Sequence, residues 1–162
     1  MSRARVFWTA ILAAAMALSG GRAAAQSALS MTAAGGAVLG SGASLGAVSL
    51  TDMKFGIGAL IAASGAATGD VESTLRGTST KGKPQTITVE GKPTTGSARA
   101  GGPGNLSGTC SVDMGDGSPA LSGVPFALTV TTGPDGKWSL LMTLGDTHLP
   151  AATVNAGSIT VR

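Results

Sequence analysis

The stretch VPFALTVTTGPDGKWSLLMTL, Val124 to Leu144, decides the fold class. Phe126, Leu128 and Val130 alternate with Ala127, Thr129 and Thr131, and after Gly133-Pro134-Asp135-Gly136 the alternation resumes at Trp138, Leu140, Met142 and Leu144. A period of two puts successive side chains on opposite faces of a strand, so each arm carries one apolar face. Between the arms, Pro fixes φ for a first corner, Asp bonds its own backbone, and Gly takes the positive φ that closes a short loop. The stretch reads as a β-hairpin whose apolar side must be covered by more of the chain.

Working outward, the same alternation recurs with different punctuation. Leu106 to Met114 places Leu106, Cys110, Val112 and Met114 on one face, and Gly115-Asp116-Gly117-Ser118-Pro119 breaks it. Further upstream, Ile87 and Val89 face one way and Thr86, Thr88 and Glu90 the other. Two turn motifs flank them, Lys81-Gly82-Lys83-Pro84 before and Glu90-Gly91-Lys92-Pro93 after. Thr94 to Gly104 reads as loop, alone or with a brief strand about Ala98, and Val71 to Arg76 resists assignment. Ala47 to Lys54 makes a strand with Val48 and Leu50 on one face. Phe55 to Ala63 is almost continuously apolar over nine residues and fits a buried strand kinked at Gly56 and Gly58, or a short helix from Ile57 to Ala63. The Gly-, Ala- and Ser-rich segment 26–46 is an opening strand or a flexible arm, with Leu29, Met31 and Ala33 alternating. Downstream of the hairpin, Gly145 to Asn155 is a connection, and Ser158 to Arg162 a closing strand with Ile159 and Val161 inward. Seven to nine strands without an amphipathic helix indicate an all-β sandwich or barrel; the expectation is a single antiparallel β-sandwich, Ig-like or pilin-like.

Residues 1–25 read as a cleaved signal peptide: Arg3 and Arg5 open it, Val6 to Gly21 is an uncharged run of 16 residues, and Ala23-Ala24-Ala25 precedes Gln26. That run falls short of the roughly 20 residues a helix needs to cross a bilayer. The organisation expected is signal 1–25, arm 26–46 and β-sandwich domain 47–162, with no integral membrane span after processing. The product belongs in the periplasm, outside the cell or on its surface. Removing Arg3, Arg5 and Arg22 leaves eight Lys and Arg against eight Asp and Glu, so the basic balance belongs to the export signal. A nucleic-acid surface needs a local excess of basic residues, and Lys81, Lys83 and Lys92 do not amount to one. Cys110, the only cysteine, excludes an internal disulfide and reads as a core thiol.

Motifs with chemical meaning are few, and each has a plainer reading beside it. Gly42-Ala43-Ser44-Leu45-Gly46 matches a nucleophile elbow, with His148 the only histidine, but the strand-to-helix context is missing. Gly77 to Pro84 stops one residue short of a phosphate-binding loop: Pro84 stands where Ser or Thr would ligate Mg²⁺, and a strand follows, so it reads as a turn. Asp113 and Asp116 offer oxygens to Ca²⁺ without the third acidic position or the distal Glu, and read as an Asp-Gly turn. Asp70 and Glu72 share one face as a solvated pair. Asn105-Leu106-Ser107 fits a glycosylation triplet. Trp138 is a sugar-stacking candidate whose alternation with Leu140 and Met142 places it on the apolar face. No catalytic residue, cofactor or metal is assigned, and the chain is read as a non-enzyme.

The opening Leu29 to Ala33 arm, the segment Leu50-Thr51-Asp52-Met53-Lys54-Phe55-Gly56, the hairpin through Trp138 and the closing Leu149 to Val161 segment together resemble small exported bacterial fimbrial or pilin-like β-sandwich proteins of uncharacterised function. The resemblance implies a fimbria-like subunit or accessory that assembles by strand exchange, with Ala28 to Ala34 as donor strand and Leu29, Met31 and Ala33 as its contacts. The chain departs from chaperone-assembled pilins in having one Cys and no Tyr. Its partners are then copies of itself or other surface and periplasmic proteins. The alternative is a small monomeric binding module for a carbohydrate or protein ligand.

Overall fold

In a computed structural model that describes residues 28–133 and 135–162, the hairpin forms as the alternation requires. Strand β7 (Leu121–Thr132) pairs with β8 (Trp138–Leu144) in the register Phe126↔Leu144, Leu128↔Met142 and Val130↔Leu140, so buried side chains oppose buried ones. The turn is held by the Gly133 N–H donating to the Lys137 carbonyl at 2.8 Å and the Gly136 N–H donating to the Gly133 carbonyl at 3.0 Å. Asp135 Oδ1 accepts from the Lys137 N–H at 3.1 Å, and Gly136 takes φ 74°, a conformation that costs a residue without Cβ little. The Pro134 corner and the signal segment 1–25 lie outside the described residues.

Eight further strands complete the described chain: β1 (Leu29–Leu39), β2 (Ser44–Leu45), β3 (Val48–Ile61), β4 (Ala67–Ser79), β5 (Pro84–Ala98), β6 (Gly104–Asp113), β9 (Thr147–His148) and β10 (Ala152–Val161). From β3 to β8 each long strand pairs antiparallel with the next, β10 lies against β8, and β1 runs between β10 and β3. The last link matters most. Met31 faces Val161 on one side and Ala59 on the other, so the sheet returns to its own beginning. The all-β, antiparallel expectation holds, but the layers do not: one continuous sheet closes into a barrel where two facing sheets were expected. Closure covers the apolar faces and removes most of the edges that a sandwich retains. The two-residue strands β2 and β9 are flaps on β3 and β8.

Inward positions are apolar and filled. Met31, Leu75, Ile87 and Val130 are fully buried, and Phe55, Phe126, Leu106, Met142 and Ile159 join them in one cluster. Outward positions on β3, β4 and β5 carry Lys54, Glu72, Thr86, Thr88, Glu90 and Lys92. Apolar residues therefore fill the barrel while polar ones coat this wall, the reverse of the pattern in a barrel whose outside meets lipid. Ser73 is the one buried polar side chain among the described residues, and its Oγ has no hydrogen-bond partner there.

Several local expectations change, each for a physical reason. Glu90-Gly91-Lys92-Pro93 is no turn: β5 runs straight through it for 15 residues. Gly91 faces inward beneath Phe126, where an added Cβ would stand 3.0 Å from the ring, and Pro93 sits at a register shift where its missing N–H costs no ladder bond. Val71 to Arg76 lies inside β4, and Thr94 to Ala98 extends β5. Phe55 to Ile61 is strand throughout, with Gly56 and Gly58 facing outward and no helix. Ala152 to Asn155 belongs to β10. The segment 26–46 carries β1, paired on both sides, and β2.

Candidate functional site

The barrel has two mouths and two unlike walls. One mouth gathers the start of β1, the β3–β4, β5–β6 and β7–β8 turns and the end of β10; the other gathers the β1–β3, β4–β5, β6–β7 and β8–β10 connections. On the strands, charge is confined to β3, β4, β5 and the end of β6: Asp52, Lys54, Asp70, Glu72, Arg76, Glu90, Lys92 and Asp113. Strands β1, β7, β8 and β10 carry no charged residue. Their outer face is mostly Thr, Ser, Ala and Gly, with Pro125 and Asn155 exposed among them and Val38, Leu121 and Leu141 half exposed or more.

On the charged wall the side chains satisfy one another. Arg76 Nε donates to Asp52 Oδ1 at 2.6 Å across the β3–β4 ladder. Lys92 of β5 pairs with Asp70 of β4. The hydrogen bond and the charge of Asp70 push Lys92 up from its ordinary value, and Glu90 and Glu72 add to this. Glu72 stands directly opposite Glu90, a like-charged pair that disfavours the ladder locally and that the neighbouring Lys92 offsets. Asp70 and Glu72 do share a face, as expected, and Asp70 is engaged by an ammonium.

The connections account for the remaining motifs. Ser44 is exposed in β2 opposite Ser49, and His148 is exposed in β9 with Nδ1 3.0 Å from Thr143 Oγ1. Both belong to the same mouth, and no hydrogen bond joins them among the described residues. Gly77 to Pro84 folds as a β-turn. The Gly82 N–H donates to the Ser79 carbonyl at 2.8 Å, the Ser79 N–H to the Lys83 carbonyl at 2.9 Å, and the Lys83 N–H to Ser79 Oγ at 3.3 Å, so the amides a phosphate would need are engaged. Asp113 Oδ1 accepts from the Gly115 N–H at 2.8 Å. Asp116 Oδ1 accepts from Ser118 Oγ at 2.6 Å and the Ser118 N–H at 2.9 Å, which holds its carboxyl below the usual range. No group of three potential metal-ligating side chains converges among the described residues. Lys81 and Lys83 sit in the β4–β5 turn, away from Lys92 in mid-strand.

Trp138 begins β8, half-buried and packed on the core at the first mouth. Cys110 is buried, and desolvation pushes its thiol up. Asn105 is exposed, with Oδ1 accepting from the Ser97 N–H at 3.1 Å. Met31 and Ala33 fill the barrel from β1, while Leu29 lies partly buried at the first mouth. There Leu29, Ile61, Ala62, Gly65, Gly96 and Ala98 line a shallow uncharged concavity of about 330 Å³. The feature missed in the sequence is the seam between β8 and β10, which pair only at Ala152↔Leu140 and Thr153↔Ser139. Residues 152–155 read there as connection, and the course of β10 is set by β1, far away in the chain, which leaves no local pattern. Comparison of the chain with protein-family models, curated proteins and solved structures returns no match.

Proposed function

We propose that this chain is an exported, non-enzymatic structural or surface protein, a fimbria-like subunit or accessory of the periplasm or cell surface. The observation that carries this reading is the filled barrel: apolar side chains occupy the interior, and the chemistry-bearing side chains are dispersed over the outer wall and connections, bonded to their own neighbours. A ligand or catalytic site gathers polar groups into a concave, partly dry space, and this arrangement spends its polar groups on turns and ladders. Assembly by strand exchange then takes a definite form. Strand β1 of one copy, anchored by Leu29, Met31 and Ala33, enters between β3 and β10 of the next, and Gly40 to Ala47 serves as the hinge.

The test is the native mass of material extracted from the envelope, by size-exclusion chromatography with light scattering, before and after heating in detergent. A ladder of multimers that collapses on heating is the expected result. A soluble monomer at the mature mass overturns it. The mouth concavity favours a second reading, a small binding module, because about 330 Å³ reaches the lower end of ligand-site volumes. A carbohydrate or peptide screen that shifts Trp138 fluorescence would select it.

A further inference from the structure

Strand β10 has one closed side and one open side. On the closed side it follows β1 from Ala152 to Val161. Ser30 and Arg162 exchange both backbone hydrogen bonds, at 2.6 and 3.0 Å, and this fixes the phase of the antiparallel ladder. Alternate residues then turn their N–H and C=O groups to alternate sides, Thr160 and Ser158 toward β1 and Ile159 away from it; Gly157 continues the alternation at φ 98°, beside the bulge where the β1–β10 register shifts. Val161 follows the same rule, and its outward carbonyl accepts from the Gly101 N–H at 2.8 Å. Ile159 and Gly157 have no such partner among the described residues, because β10 has left β8 after Thr153. Asn155, Ala156, Gly157 and Ser158 are exposed in succession, the alternation broken by the bulge opposite Gly36 and Ala37 and by Gly157 at φ 98°.

The open edge has no Pro and no charge, two of the usual devices that keep strand edges apart. The walls on either side, β1, β8 and β7, are uncharged as well, so these strands set no like charges against a second copy, and the charges around them at the first mouth are Arg162 and those of the β5–β6 and β7–β8 turns. An antiparallel edge is also complementary to itself about a two-fold axis, since each exposed donor meets an exposed acceptor. We propose that two copies of this chain pair edge to edge through β10, antiparallel, with the two-fold axis at Ser158. Gly157 of each copy exchanges two N–H···O=C bonds with Ile159 of the other, Ser158 faces Ser158, and the two barrels share one continuous sheet. This is a second mode of self-association, distinct from the strand exchange proposed above and resting on that reading only in taking a second copy as the occupant; β1 stays in its own barrel.

Ser158→Cys tests the geometry directly. A non-hydrogen-bonded antiparallel pair brings Cα atoms to about 4.5 Å, within disulfide range. Mild oxidation of purified S158C in a Cys110→Ala background gives a disulfide-linked dimer, and Thr88→Cys on the charged wall gives none. Sedimentation velocity of the wild-type chain shows concentration-dependent dimer, and Ser158→Lys, which sets two ammonium groups face to face, weakens it by about tenfold or more with the melting temperature unchanged. Crosslinking of S158C no faster than T88C, or S158K dimerising like wild type, overturns the proposal. So does an envelope complex in which a different chain's strand occupies β10 and this chain is monomeric. These readouts use purified protein. Envelope multimers without the S158C crosslink refute the edge and keep the structural role; the crosslink without envelope multimers does the reverse.

Discussion

The β3–β4 ladder and the β8–β10 seam do the same topological work with unequal means. The ladder runs from Val48↔Ser79 to Ile61↔Ala67, buries Val71 and Leu75 on its inner side and adds the Asp52–Arg76 ion pair outside. The seam has Ala152↔Leu140 and Thr153↔Ser139, and beyond them a bare edge. Both joins are local in the chain, through residues 62–66 and 145–151, whereas closure of the first and last strands falls to β1, which pairs along most of its length with both β10 and β3 at a larger entropic cost of ordering. The difference teaches that a short connection does not by itself make a long ladder: β10 follows β1 to its end, leaves β8 after two pairs, and exposes backbone groups on that side. Surface ion pairs on the ladder wall contribute little to stability.

The comparison breaks most visibly under core truncation. Leu75→Ala, on the fully buried inner face of the ladder, lowers stability by about 2–5 kcal/mol in urea unfolding. Ser158→Ala at the exposed seam stays within about 0.5 kcal/mol by the same measurement. Next in size is Gly91→Ala, which forces a methyl against Phe126 and costs about 1–3 kcal/mol. Adding Phe126→Leu recovers part of that loss if the ring is the cause; no recovery would place the strain in the backbone. Ser73→Ala sharpens the picture in the opposite direction, because it removes a buried hydroxyl without a partner and raises stability by about 1 kcal/mol. The smallest effect is electrostatic. The Ser118 hydroxyl and amide hold the Asp116 carboxyl below its unfolded value, so its contribution is present above the ordinary carboxylate range and is lost as pH falls through the folded value. Asp116→Asn flattens that acid limb slightly in a series of urea midpoints against pH.

How much of this was legible depended on whether a residue's reason was local. The hairpin from Val124 to Leu144 was, since alternation and turn chemistry sit side by side in the chain. So was the inward face of β6, where Leu106, Cys110 and Val112 are all buried. Gly91 misled because a glycine needed for close approach to Phe126 looks the same as one needed for a turn. Segment 26–46 left an opening strand and a flexible arm both open for a related reason: its Gly, Ala and Ser have little intrinsic preference for a strand, and two distant partners, β3 and β10, make it one. The sandwich expectation failed at that same point, because closure is a property of β1 pairing twice. The motifs with chemical meaning were resolved by hydrogen bonds to near neighbours, as at Ser79 and Asp116, and their plainer readings were already in the sequence. The β10 edge was not, because its openness is set by the register between β8 and β10.

Amide hydrogen exchange along β10, followed by NMR at low protein concentration, tests the closed barrel with its one bare edge most directly. The N–H groups of Ser158 and Thr160, bonded to β1, should exchange slowly, and those of Gly157 and Ile159 should exchange fast, then become protected as concentration rises. Uniform protection of all four in the dilute monomer would mean that β10 is covered on both sides, and uniform fast exchange would mean that β1 does not close the barrel; either result contradicts the account.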